Sequence, residues 1–332
     1  MTAPRNPPSP RVRPPPGNRD RFLRTGTECH VDVPRAVPTG RATMYDSILV
    51  PTDGSDVARA AAETAVELAG RFDAHLHVVH VLEPGESSTA DEADDGLARS
   101  AERATSPAAE IATDAGLDVS VTAVESEGRI HRTILDYATE HAIDCIVMGT
   151  YGRTGVDRFV LGSVAERTIR ESPVPVVTVH EGTIVDLPFD AILVPTDGSD
   201  CARAAADHAI ELARLTGAAL HTVHVVDAGV LHGGTDPATL LESLEDAGQR
   251  VLDAIVERAT EAGVGTVEAS VLTGSPHGAI TEYADEYGVD CIVMGTHGQT
   301  GLDQRFLGSV TERVVRTSDL PVFTISDGGP EE

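Results

Sequence analysis

The 332-residue sequence contains no lysine and no tryptophan, and only 3% of its residues are aromatic. All 25 basic residues are therefore arginines, and they stand against 53 aspartates and glutamates, for a formal net charge of −28. Proteins bind nucleic acids mainly through lysine and arginine contacts to phosphates, so this balance argues against a nucleic-acid partner. It argues equally against an anionic membrane surface.

Cysteine is also scarce, with four residues and no CxxC pair. Cys145 and Cys291 occupy equivalent positions in two apolar runs, which favours small buried side chains over metal ligands or disulfides. No apolar run approaches the roughly 20 residues that cross a bilayer. These absences predict a reduced, cytoplasmic protein.

Strong acidity without lysine is typical of halophilic proteomes. At about 1 M salt, charges are screened within roughly 3 Å, so the negative charges of such a protein repel one another little.

Residues 1–43 differ from the rest, with eight arginines against three acidic residues, many prolines and no hydrophobic periodicity. This composition predicts a disordered extension. Met44 stands directly before the first apolar strand, so we expect it to be the true start of the natural protein.

A glycine pattern occurs twice with the spacing G-x2-G-x9-G-S, at Gly149, Gly152, Gly162 and Ser163 and again at Gly295, Gly298, Gly308 and Ser309. Each copy lies between an apolar strand-like run and the start of a predicted helix. Such a loop can surround phosphate with backbone N–H groups, which predicts two nucleotide sites. Two alternatives concern local structure. The glycines could form tight turns with positive φ, and each serine could open a capping box with Glu166 or Glu312.

The duplication covers whole domains, because Val50–Asp56 recurs as Val194–Asp200, 144 positions later. A period of this length is that of a domain rather than of a solenoid repeat. We predict domains at 44–181 and 189–326, a linker at 182–188 and an acidic tail at 327–332. Strands alternate with helices in each domain, which predicts two doubly wound α/β domains with five-stranded parallel sheets.

Ligands of such sheets bind beyond the carboxyl ends of the strands, where the strand order reverses. Asp53 follows the first strand, Val81 lies near the end of the second, and Gly149 follows the fourth. The aspartate could accept hydrogen bonds from a ribose or a base, or it could only cap the following turn. His75 and His77 share one strand face, but the second copy has Ala219 in place of the first histidine, so we assign no metal ligand.

These motifs resemble the ATP-binding branch of the universal stress protein family. The resemblance rests on the glycine signature, on Pro-Thr-Asp at 51–53 and 195–197, and on Gly-x-x-His at 128–131 and 274–277, and it covers 44–326. It implies an adenine nucleotide alpha hydrolase-like fold that binds ATP, with Mg²⁺ held through the phosphates. It also implies a stress-responsive sensor with an unidentified protein partner. Domains of this family pair across their fifth strands, here Val174–Val179 and Val322–Ile325, which would make the chain an intrachain pseudo-dimer and leaves a further homodimer open.

The resemblance, together with the motifs, assigns two sets of cofactor-binding residues. The first is Pro51, Thr52, Asp53, Val81, Met148, Gly149, Gly152, Arg153, Gly162, Ser163 and Val164. The second is Pro195, Thr196, Asp197, Val225, Met294, Gly295, Gly298, Gln299, Gly308, Ser309 and Val310.

The two loops differ in charge, because Arg153 and Arg158 correspond to Gln299 and Gln304, whereas the second loop has a single arginine, Arg305. A charge-assisted hydrogen bond is roughly twice as strong as a neutral one, so we predict that the first site binds a triphosphate more tightly. The sequence has no lysine-containing phosphate loop, positioned base or nucleophile motif, and we assign no catalytic residue. A slow ATPase or autophosphorylating enzyme and a nucleotide-independent interaction module remain as alternatives.

Overall fold

The structure is a computed structural model that describes residues 29–32, 43–82, 93–126, 128–152, 161–227, 229, 237–299 and 306–327. The first domain contains β2 (Ser47–Pro51), α1 (Asp56–Phe72), β3 (His75–Leu82), α2 (Ala93–Asp114), β4 (Val119–Glu125), α3 (Ile130–Glu140), β5 (Cys145–Gly149), α4 (Ser163–Glu171) and β6 (Val176–Val179). The second contains β7 (Ala191–Pro195), α5 (Asp200–Thr216), β8 (Ala219–Asp227), α6 (Pro237–Glu261), β9 (Thr266–Gly274), α7 (Pro276–Tyr287), β10 (Cys291–Gly295), α8 (Ser309–Thr317) and β11 (Val322–Ile325).

All strands of both domains belong to one sheet, in the order β1-β9-β8-β7-β10-β11-β6-β5-β2-β3-β4, where β1 is Cys29–Asp32. Within each domain the five strands are parallel, as predicted. The strand order reverses between β2 and β5 and again between β7 and β10. Each domain therefore has one switch point of the kind where open α/β sheets bind ligands.

The two domains are joined by antiparallel pairing of their last strands, β6 and β11, with Phe323 opposite Val177. Two threonines tighten this pairing. Thr178 Oγ1 donates to the carbonyl oxygen of Val322 at 3.3 Å, and Thr324 Oγ1 donates to that of Val176 at 3.0 Å. The chain is thus the intrachain pseudo-dimer predicted from the sequence.

The core lies in two apolar layers, one on each face of the sheet. One layer contains side chains of α1, α2, α5 and α6 together with Val177 and Phe323, and it runs without interruption through both domains. The other contains side chains of α3, α4, α7 and α8. Alanines make up much of the buried faces of α1 and α5, and these small side chains allow both helices to lie close to the strands.

Two features of the chain differ from what local sequence signals alone would give. Helix α2 continues through Pro107, because Ala104, Ala108 and Ala112 are buried and this tertiary packing outweighs the local penalty of proline. Within the extension expected to be disordered, Cys29–Asp32 forms strand β1 and pairs antiparallel with β9. The outer edge of β9 offers unpaired backbone groups that a short strand can satisfy.

Candidate functional site

The second domain has a cavity of about 710 Å³ at the carboxyl ends of β7, β8 and β10, at the predicted switch point. This volume lies in the range of small-molecule sites, which is roughly 300–1,000 Å³. Every second-domain residue predicted from the sequence lines it, namely Pro195, Thr196, Asp197, Val225, Met294, Gly295, Gly298, Gln299, Gly308, Ser309 and Val310.

Sequence reasoning missed the remaining lining residues, which are Ala202, Val223, Asp227, Pro276, Ile280, His297, Phe306, Leu307 and Thr311. Two signals could have found some of them. Asp227 ends β8 at the same edge of the sheet as Asp197. Pro276 and Ile280 are four residues apart at the start of α7, so they lie on one face of that helix. Together with Val225 they give the cavity apolar walls.

The turn after β7 is fixed by its own side chains. Thr196 Oγ1 accepts from the N–H of Gly198 at 3.2 Å, and Asp197 Oδ1 accepts from the N–H of Ser199 at 3.0 Å. Asp197 Oδ2 accepts from the N–H of Gln299 at 2.8 Å, so the carboxylate connects this turn to the glycine loop. Turn capping by Asp197 is therefore observed. Each carboxylate oxygen can accept more than one hydrogen bond, so Asp197 can cap the turn and contact a ligand at the same time.

The first glycine of each loop is required by packing. A Cβ on Gly149 would lie 2.8 Å from Val57 Cγ2, and a Cβ on Gly295 would lie 2.8 Å from the backbone carbon of Cys201. These glycines let α1 and α5 pack closely on the strands. None of the six pattern glycines is among those with positive φ, so the tight-turn interpretation was wrong.

The second glycine of each loop faces the aspartate of the preceding turn. The nearest neighbour of a Cβ on Gly152 would be Asp53 Oδ2 at 2.7 Å, and that of a Cβ on Gly298 would be Asp197 Oδ2. A side chain at either position would push the carboxylate out of its place beside the loop.

The capping boxes predicted at Ser163 and Ser309 were wrong. The N-caps of α4 and α8 are Gly162 and Gly308, and neither helix has a side-chain cap hydrogen bond. Each cap glycine is held by the loop itself, because its N–H donates to the carbonyl oxygen of Thr150 (2.7 Å) or Thr296 (2.9 Å). Both serines are therefore the first helical residues, and both are exposed.

A histidine supports the turn in each domain, and His80 is buried whereas His224 is half-buried. His224 Nδ1 donates to the carbonyl oxygen of Thr196 at 2.9 Å, and His80 Nδ1 donates to that of Thr52 at 2.7 Å. A carbonyl can only accept, so the proton is on Nδ1 in both rings. Burial lowers the pKa of His224, although the hydrogen bond to Thr196 partly opposes the shift, and the imidazole is neutral at pH 7.

The first domain repeats these contacts. Thr52 Oγ1 accepts from the N–H of Gly54 at 3.2 Å, and Asp53 Oδ1 accepts from that of Ser55 at 3.0 Å. Val81, Met148 and Val164 belong to, or pack against, the apolar layer next to this turn, with Pro51 at the end of β2. Arg153 lies outside the described residues, as do Arg158, Gln304 and Arg305, so the charge difference between the loops remains a prediction.

Two parallel-sheet domains joined through their last strands, each with a glycine loop at its switch point, define a tandem doubly wound α/β protein. The chain belongs to the universal stress protein family, since the model of that family matches it twice, over residues 44–180 and 188–326.

Known relatives agree with this assignment. A universal stress protein of Methanocaldococcus jannaschii is 37% identical over 140 residues, which are 41% of this chain and 82% of that protein. One from Mycolicibacterium smegmatis is 29% identical over 308 residues, which are 86% of this chain and 98% of that protein. The crystal structure of a universal stress protein from Archaeoglobus fulgidus has a TM-score of 0.66 at 26% identity and covers 85% of this chain and 98% of its own. The last two matches span both domains.

Two further findings concern the described ranges alone. None of their helices has both the length and the apolar character needed to cross a bilayer. They also contain no cluster of three histidine, cysteine, aspartate or glutamate side chains that could hold a metal ion.

Proposed function

We propose that this universal stress protein binds ATP at two sites, one per domain, and acts as a nucleotide-responsive stress or signalling protein. The observation that carries the proposal is the convergence of all eleven predicted residues of the second domain on a single cavity. Residues assigned from the motifs and the family resemblance meet at one place, which a chance match of the glycine pattern would not produce.

The cavity has the two chemical ends that an adenine nucleotide needs. Its apolar walls, which include Val225, Ile280 and Met294, suit the faces of a base. Its polar end contains the first turn of α8, where Ser309 is exposed and the first N–H groups have no partner within the helix. Such helix starts favour phosphate through both hydrogen bonding and the helix dipole.

We further propose that Mg²⁺ reaches the site through the phosphates. Asp197 and Asp227, which both line the cavity, supply oxygen atoms of the kind that Mg²⁺ accepts beside phosphate oxygens. The high negative charge of the chain is compatible with an anionic ligand if the protein works in concentrated salt, where that charge is screened.

Calorimetry of the full chain with ATP and Mg²⁺ in about 2 M KCl, where screening is strong, tests the proposal. We expect two ATP per chain, reduced to one by either Gly152→Val or Gly298→Val. Gly70→Val is a matched control, because Gly70 in α1 has open space around the position of a Cβ. Folded protein that binds neither ATP, ADP nor AMP would contradict the proposal. ADP release that both loop changes abolish would instead favour the slow ATPase.

A further inference from the structure

One histidine connects the glycine loop of the first domain to the second domain. His180 directly follows β6 and is 8% exposed. Its Nδ1 lies 3.0 Å from Thr150 Oγ1, and its Nε2 lies 2.8 Å from the carbonyl oxygen of Val315. Because the carbonyl can only accept, Nε2 carries a proton. In the neutral ring, Nδ1 then accepts from the Thr150 hydroxyl, whose longer contact is with the carbonyl oxygen of Val179 at 3.3 Å.

Both partners of His180 belong to the glycine-loop regions. Thr150 lies between Gly149 and Gly152, and its carbonyl oxygen accepts the N–H of the cap residue Gly162. Val315 lies in α8, and the first residue of this helix, Ser309, lines the cavity of the second domain. The imidazole is thus a direct hydrogen-bonded link between the loop of one site and the helix of the other.

The backbone around His180 is attached to the second domain as well. The N–H of His180 donates to Thr183 Oγ1 at 3.0 Å, and Thr183 Oγ1 donates to the carbonyl oxygen of Asp319 at 3.2 Å. Asp319 follows the end of α8. A displacement of α8 along its axis would therefore move the His180 ring and its backbone together.

Within the described residues, no side chain links the glycine loop of the second domain to α4 of the first domain in the same way. Ser326 occupies the position equivalent to His180 and donates to the carbonyl oxygen of Ser172 at 2.8 Å, just beyond α4. The loop residue Thr296, which is equivalent to Thr150, instead contacts His297 Nδ1 (3.0 Å) and Cys201 Sγ (3.9 Å) of its own domain. The pseudo-dimer is therefore asymmetric at this junction.

We infer that His180 is a positioning residue that couples the two nucleotide sites, so that occupancy of one changes the affinity of the other. The inference rests on the proposed function. A phosphate at the start of α8 pulls on the helix, Val315 moves with it, and His180 passes the shift to Thr150 and the first glycine loop. By thermodynamic linkage, a ligand in the first site affects the second by the same factor.

The test compares the wild-type chain with its single-site variants. ATP affinities of Gly152→Val and Gly298→Val give each site alone. The coupling factor is the product of the two stepwise ATP association constants of the wild type, divided by the product of these two single-site constants. We expect this factor to differ from 1 by about 5-fold or more. His180→Ser, which introduces the residue of the equivalent position, should bring this factor close to 1. His180→Gln, whose amide can still donate to Val315, should restore part of it. Ser326→Ala is the matched control and should leave the factor unchanged.

A second readout leaves His180 itself unchanged. The ¹⁵N signals of the His180 imidazole should shift when ATP is added to Gly152→Val, in which only the distant site can bind. A factor close to 1 in the wild type, a factor unchanged by His180→Ser, or imidazole signals that ignore the second site would each overturn the inference. Failure of the proposed function would look different, because the wild type would then bind no ATP at all.

Discussion

The two domains share the turn that shapes the site, but they differ where one domain meets the other. In both turns the serine N–H donates to the aspartate Oδ1 at 3.0 Å. Between the domains, by contrast, the hydroxyl of Tyr45 and Nε2 of His208 lie 2.8 Å apart, whereas the equivalent positions hold Phe189 and Thr64. The duplication has kept the hydrogen bonds within each site and varied those that connect the halves. The two domains have therefore diverged mainly where they contact each other.

The largest expected difference between the halves concerns the first glycine of each loop. In Gly295→Ala the new methyl group would meet the backbone of Cys201 and Ala202, which cannot rotate away. In Gly149→Ala it would meet mainly the side-chain methyl groups of Val57, at 2.8 and 2.9 Å, and the backbone carbon of that residue only at 3.2 Å. We expect Gly295→Ala to lower the free energy of unfolding by about 3 kcal/mol and Gly149→Ala to lower it less. Denaturant unfolding of both variants measures this, and equal losses would contradict the packing difference.

The second prediction concerns His208, which has no counterpart in the first domain. Burial lowers its pKa to about 4 from an ordinary value of 6.5. Between these values the unfolded chain binds a proton that the folded chain does not, so stability falls as the pH drops from 6.5 to 4. This group alone accounts for up to about 3 kcal/mol over that window.

His208→Thr, which copies Thr64, should flatten the dependence of unfolding free energy on pH between 6.5 and 4. Val314→Ala, a buried change without a titratable group, controls for lower stability as such. If both variants keep the wild-type slope, His208 does not contribute to the acid sensitivity.

A third, smaller difference is the affinity of the two sites. We predict that the Gly298→Val variant, which keeps only the first site, binds ATP more tightly than the Gly152→Val variant. The reason is that the first loop has Arg153 where the second loop has Gln299. Gln299→Arg in the second loop should then raise its affinity about tenfold, equivalent to about 1.4 kcal/mol. Calorimetry of the single-site variants decides the matter, and equal affinities in the two glycine variants would refute it.

The smallest expected difference between the domains is at the N-caps of α1 and α5. Ser55 and Ser199 both accept a hydrogen bond from the first turn of their helix, from Ala58 and Ala202. Replacing either serine with alanine should lower the free energy of unfolding by about 1 kcal/mol, and by nearly the same amount in both domains, because the additional contact of Ser199 Oγ with the carbonyl oxygen of His297 is long, at 3.4 Å. Thermal unfolding of the two variants side by side tests this equality. A clear difference would show that the halves have diverged even at the helix starts.

Local patterns predicted the parts of the fold that depend on local chemistry. Helix α1 starts directly after Ser55, whose side chain caps it, and β3 is an apolar run that is buried along most of its length, as expected for an inner strand of a parallel sheet. Part of the cavity lining in the second domain was predicted from the motifs and the family resemblance, and the strand order brings those turns together. The helix starts at the glycine loops were misplaced by one residue, because a loop carbonyl holds Gly162 and Gly308.

The pairing of the last strands was expected from the family resemblance, but the side-chain contacts between the halves had no signal in the sequence. His180 and Val315 are 135 positions apart, and Tyr45 and His208 are 163 apart. A histidine after a strand has no pattern that names such a distant partner. Similarly, nothing in the composition of residues 1–43 marks the four that pair with β9.

The apolar layer that runs through both domains on one face of the sheet has a consequence for unfolding. If one domain opened alone, it would expose the shared side chains of the other around Val177 and Phe323, so the chain should melt as one cooperative unit. Ligand binding stabilises whatever unit unfolds with its site. A nucleotide in either proposed site should therefore protect the backbone amides of both domains against hydrogen exchange, including those far from the site that holds it.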